Sequence, residues 1–147
     1  TIEGQDNFAI ADGLTLCIRN VRYLDPETIG HALTAATGWQ YFTNQDEWNQ
    51  YAQRIIILER AWNIKHGLLP ERDDILPERV FTEPLSQGPK AGTPAALYDR
   101  QQFEKDKQAW YAARGCDSQG IPTRTTLKSL DLDFVIPELS RVVDLAS

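Results

Sequence analysis

Few side chains in this 147-residue chain are suited to chemistry, and two of the most reactive share one short segment. Asp12-Gly13-Leu14-Thr15-Leu16-Cys17 sets a carboxylate and a thiol five positions apart. Read singly, Asp12 is a turn former ahead of Gly13, and Cys17 is a buried, inert thiol, because free cysteine is among the most buried residue types. The second cysteine, Cys116, is far away in sequence. Two cysteines so placed define no disulfide framework, cannot close a metal site by themselves, and fit a reducing, cytosolic setting. His31 falls beside a helix's apolar face and His66 near a helix C-terminus, where a cation suits the dipole. A general base needs a partner to set its proton, and the sequence offers neither histidine one. Asp73-Asp74 has the composition of a divalent-cation site but reads as a solvated turn pair.

These residues must be positioned by elements that are mostly helical. Residues 1–24 show no clear helical period; Asp12-Gly13 marks a turn, and Leu14 to Ile18 a short strand or tight apolar turn. Asp25-Pro26 is an N-cap with proline at the first helical position, and Gly38 stops the helix that follows. Thr43 and Asp46 form a capping-box-like start for a longer helix carrying Trp48, Tyr51, Ala52, Ile55, Leu58 and Trp62, with Gly67 at its end. The stripe Trp48, Tyr51, Trp62 is expected in the core. Ile55-Ile56-Ile57-Leu58 makes the middle apolar almost all round, so this helix should be wedged between other elements. Five prolines between residues 68 and 97 exclude a long helix there. The expectation is an irregular wrap, pinned by Ile75, Leu76, Val80, Phe81 and Leu85. Helix resumes at Asp99 and runs to Gly115; a short helix starts at Thr123, and the tail adds a turn or two around Pro137. The fold class is mainly α: a single helical domain with a long proline-rich irregular wrap. It divides into 1–24, two helices in 25–67, the wrap in 68–97, and C-terminal helices in 98–147.

Composition excludes more than it identifies. The net charge of −6 argues against nucleic acid, whose binding needs a basic stripe. No apolar run is long enough to span a bilayer. The N-terminus lacks the basic-then-apolar layout of a secretory signal and an initiating Met; a chain that begins inside a longer reading frame and one whose Met has been removed or processed both look like this.

An ordered set of motifs supplies the rest: Leu58-Glu59-Arg60-Ala61-Trp62-Asn63, then Asp73-Asp74-Ile75-Leu76-Pro77-Glu78-Arg79, then Glu83-Pro84-Leu85, then Tyr111 with Arg114-Gly115-Cys116-Asp117, then Gly120-Ile121-Pro122-Thr123 with Leu127, Leu130 and Leu132. Together they resemble the C-terminal helical domain of the aldehyde:ferredoxin oxidoreductase family. That family has a pterin-binding stretch, Asp-x-x-Gly-Leu-Cys, matched here by Asp12, Leu16 and Cys17, with Thr15 in place of the glycine. The resemblance implies a parent enzyme holding a tungsten or molybdenum bis-pterin and a 4Fe-4S cluster, oxidising aldehydes to carboxylic acids and passing electrons to ferredoxin or another electron-transfer subunit. It implies that Asp12 and Leu16 contact the pterin and that Cys17 is one cluster ligand, the others lying in an earlier domain. Cys116 stands where an aromatic is common, which argues against a ligand role. The isolated chain is expected to be inactive, without cofactor, and to expose part of its core as a former interface with the remaining domains. Two alternatives stay open: a family member acting on acyl-CoA or aromatic-ring substrates, and a non-catalytic helical interaction module.

Overall fold

The computed structural model of the protein describes residues 2–17, 19, 25–40, 45–94 and 99–147. The architecture is mainly helical, with no sheet among the described residues. Its first helix, α1 (Ile2–Gly13), lies where no period was legible. The reason is visible in Phe8, Ala9, Ile10 and Ala11: four consecutive apolar residues, at about 100° per residue, point all round the axis and make no stripe. Asp12-Gly13 is thus a helix end. The Leu16 N–H donates to the Ala11 carbonyl (2.8 Å) and the Thr15 N–H to that of Asp12 (3.0 Å). This crossed pair of bonds closes a helix C-terminus and requires a left-handed residue, here Thr15 at φ 56°.

Helix α2 (Pro26–Thr37) has the cap the sequence announces: the Asp25 carboxylate accepts from the Thr28 N–H at 2.8 Å, and the Gly38 N–H returns to Thr34. Helix α3 (Gln45–Lys65), 21 residues and therefore about 32 Å long, is the spine, with α1 packed along it. The cap expected at Thr43 lies outside the described residues, as does Ile18. The aromatic stripe on α3 is not a core stripe. Trp48 is buried, whereas Tyr51 and Trp62 are 41% and 60% exposed. Trp48 and Ala52 face inward in the first half, and Ile57, Ala61 and Ile64 in the second. At about 100° per residue these two sets lie roughly half a turn apart. The helix is wedged, as expected, but its buried side changes along its length.

The proline-rich stretch is more regular than expected. It holds two single turns, α4 (Pro70–Asp73) and α5 (Arg79–Thr82), and a loop pinched where the Leu85 N–H donates to Thr93 at 2.8 Å. Pro70 starts α4, where its missing N–H costs no helical bond. Leu76, Val80 and Phe81 are half-buried, while Ile75 and Leu85 are exposed. Helix α6 (Arg100–Ala113) is capped by the Asp99 carboxylate, and α7 (Arg124–Ser129) by the Thr123 hydroxyl. A 3-10 turn over Asp133–Val135 leads into α8 (Ile136–Leu139).

The core lies where α3, α6 and the C-terminal turns meet: Ile57, Ala61, Ile64, Tyr111, Ile121, Leu127, Leu130, Leu132 and Leu139. At Gly120 the chain comes close against both α3 and α6. At φ 79°, a Cβ there would lie 2.5 Å from Arg60 Nη2 and 2.6 Å from Tyr111 Cζ, so neither the backbone angle nor the space admits a side chain.

Candidate functional site

The turn that ends α1 presents its two reactive groups outward. Ala11 is buried, Leu14 and Leu16 are half-buried, and Asp12 and Cys17 are exposed. Cys17 is therefore not the buried thiol that its residue type alone suggests. Neither the Asp12 carboxylate nor the Cys17 thiol makes a hydrogen bond or ion pair within the described residues. The turn is seated on α3 by Gly13, where an added Cβ would meet Ile55 Cδ1 at 3.2 Å. Beside it, between α1 and α3, runs an open cleft of ≈ 530 Å³ walled by Phe8, Ile55 and Ile56, with Gln5, Asp12 and Glu59 as polar lining.

The described residues do not by themselves close a metal site here. Among the described residues, no three His, Cys, Asp or Glu side chains converge on one point. Cys116 is excluded on separate grounds: it is buried in the core, and burial pushes its thiol up to about 11. The geometry fits an arrangement in which this chain lends one thiolate and one carboxylate to groups held mainly from outside. The histidines stand apart from the cleft. His31 lies 3.6 Å from Glu27 on an exposed face of α2, and His66 stacks on Trp62 with ring centroids 4.1 Å apart.

Sequence reasoning missed a polar network that ties the motifs together. Arg60 Nε donates to the Gly120 carbonyl at 2.6 Å, and its Nη2 lies 2.5 Å from Asp74 Oδ2. The Tyr111 hydroxyl donates to the same carboxylate oxygen at 2.7 Å. Burial, reinforced by Asp74, raises the Tyr111 phenol well above its ordinary value and keeps it a donor. Asp74 is thus no solvated turn residue. Only Asp73 is, held well down at about 2 by Arg72 and the Leu69 N–H. The sole sequence signal for this network was the motif order itself: Arg60, Asp74, Tyr111 and Gly120 each sit in a different piece of the ordered set.

On another face of α3, a larger groove of ≈ 770 Å³ is walled by Leu58, Trp62, Phe134, Val135 and Leu139, with the Lys65–Glu138 ion pair (3.1 Å) at its edge. Trp62 and Phe134 are 60% and 62% exposed. An apolar surface of this kind marks an interaction face more often than bare solvent contact.

Fold and site define a helical module that offers a carboxylate and a thiol outward from one turn and leaves an apolar face uncovered. The comparison with known sequences is specific: the family described as aldehyde ferredoxin oxidoreductase, domains 2 and 3, matches residues 1–132. The chain belongs to the aldehyde ferredoxin oxidoreductase family. It is similar to the tungsten-containing aldehyde ferredoxin oxidoreductase of Pyrococcus horikoshii, 33% identical over 129 residues, which is 88% of this chain and 20% of that protein. The same enzyme of Pyrococcus furiosus is 31% identical over 128 residues, or 87% of this chain and 20% of the relative. That of Thermococcus kodakarensis is 35% identical over 88 residues, 60% of this chain and 14% of the relative. The chain thus spans about a fifth of the length of the first two curated relatives. No helix among the described residues is long and apolar enough to cross a membrane.

Proposed function

We propose that this chain is the C-terminal helical part of a tungsten- or molybdenum-dependent bis-pterin oxidoreductase that oxidises aldehydes to carboxylic acids with ferredoxin as electron acceptor. One observation carries the reading: Asp12 and Cys17 sit exposed and unengaged on a single hydrogen-bonded turn. When bound, the metal–pterin centre and the iron–sulfur cluster supply the oxidation and the path for electrons. This chain supplies positioning. The Asp12 carboxylate accepts paired hydrogen bonds from the amino and ring N–H groups of the pterin, as it would from a guanidinium fork. Leu16, half-buried between the two, lines the same contact. The Cys17 thiolate is one ligand of a 4Fe-4S cluster, and the short turn keeps pterin and cluster neighbours. The remaining domains of the parent provide the other ligands and cover the groove at Trp62 and Phe134. By itself the chain is inactive.

The test is made in the full-length parent protein, purified without oxygen. Cys17→Ala should lower iron per polypeptide and abolish electron transfer to ferredoxin, while Asp12→Asn should lower pterin occupancy. Full iron with normal turnover in the cysteine variant would remove the ligand role.

A further inference from the structure

Helix α1 carries the Asp12–Cys17 turn, yet its sequence gives it no face with which to choose an orientation. Phe8 to Ala11 are apolar all round the axis, so burial against α3 favours contact without favouring one rotation over another. The rotation matters greatly. Ala11 is buried and Asp12 exposed; with side-chain atoms about 5 Å from the axis, a slip of one residue step would move either by about 8 Å and carry one of them into the other's place.

A directional contact does exist at the opposite end of the helix. Arg114, at the end of α6, is buried with only 2% exposure. Its Nη1 lies 2.6 Å from Asp6 Oδ1, and its Nη2 donates to Gln5 Oε1 at 3.2 Å and to the Ile2 carbonyl at 3.4 Å. Trp110 Nε1 donates to the same Gln5 oxygen at 2.7 Å, and the guanidinium lies 5.8 Å from the centre of the Trp110 ring. The charge pair is close without an aligned hydrogen bond at Oδ1, so attraction supplies the hold and the bonds to Gln5 and Ile2 supply the direction. Three residues on adjoining turns of α1 are gripped by one planar fork, which fixes both the rotation and the axial position of the helix. The apolar seat of Gly13 on Ile55 holds the other end.

We propose that Arg114 is the positioning residue for the Asp12–Cys17 turn: its clamp on Ile2, Gln5 and Asp6 sets which residues of that turn face the cofactors. The inference rests on the role proposed above for the turn, but its test does not. In the whole chain, Cys17 is spin-labelled together with Lys105→Cys at an exposed position of α6, while buried Cys116 stays unmodified. The distance between the labels is then measured by pulsed electron resonance. With Arg114 and Asp6 intact, one narrow distribution is expected. Arg114→Met, and the milder Arg114→Lys, which keeps the attraction to Asp6 but loses the planar fork onto Gln5 and Ile2, should each broaden it or add a population displaced by on the order of 5 Å. If Arg114→Met does not fold, Arg114→Lys decides alone. An unchanged distribution in a folded variant whose melting temperature has dropped would make Arg114 a stabilising residue only and overturn the proposal. No cofactor takes part, so such a failure is distinct from a failure of the ligand roles, which iron and pterin content report.

Discussion

Thr15 should be replaceable by glycine with a gain in stability, although it stands in the segment proposed to approach the pterin. It is a β-branched residue at φ 56°, where its Cβ crowds the carbonyl and an L-residue is penalised by roughly 1–2 kcal/mol. The side chain is exposed, so Thr15→Gly sacrifices no buried area. Against the relief stands the greater freedom of glycine in the unfolded chain, about 0.4–1 kcal/mol. The net expectation is a stabilisation of about 0.5–1 kcal/mol, or an upward shift of melting temperature by roughly 1–4 °C for a chain of this size. Urea unfolding should show a higher midpoint at unchanged slope, since the surface exposed on unfolding stays the same. Thr15→Ala, which removes the branch but keeps Cβ, should recover only part of the gain. Equal or lower stability for the glycine variant would refute the reasoning, because it would mean that the left-handed conformation at this position is not strained or not adopted.

Two further outcomes follow from the buried polar groups. Asp74→Asn leaves the Arg60 guanidinium, 11% exposed, without its counter-charge and weakens the acceptor of the Tyr111 hydroxyl. Removing one partner of a fully buried pair costs about 3–5 kcal/mol, and the 24% exposure of Asp74 reduces this to roughly 2–3 kcal/mol, readable as a lower urea midpoint; a loss under about 0.5 kcal/mol would mark the pair as a surface one. The thiols should separate by reactivity: Cys17 reacts with a thiol reagent in the native state at pH 8, and Cys116 only on unfolding. Because burial pushes the Cys116 thiol up to about 11 from its ordinary 9.0, the fold favours the neutral thiol. That contribution is complete below pH 9 and is lost as pH rises through 11. Stability should decline across this window, and less so in Cys116→Ala relative to its own value at pH 8; identical profiles would sink the assignment.

The legibility of the sequence follows the range of the interactions. Capped helices could be read directly because their signals are local: Asp25 with Gly38, and Asp99 and Thr123 at their N-caps, satisfy backbone groups a few positions away. Helix α1 could not, because periodicity is the signal and its apolar residues have none. The misplacement of Tyr51 and Trp62 has a related cause. A periodic stripe reveals that a helix has an apolar side but not that its neighbours change sides along its length.

The candidate site divides in the same way. The sequence placed Asp12, Leu16 and Cys17 in one segment and, through the ordered motifs, tied that segment to a family. It left Asp73 and Asp74 indistinguishable, although one is a solvent-facing turn residue and the other receives Arg60 and Tyr111 from distant segments. By itself, then, the sequence determined the helical class, the caps and the motif order, all set by interactions within a few residues. Only the tertiary structure decided that Arg60, Asp74, Tyr111 and Gly120 form one network, that Arg114 clamps α1, and that Asp12 and Cys17 face outward. Those outcomes depend on side chains separated by tens of residues meeting in a desolvated interior, where a charge must find its partner wherever the chain has brought it.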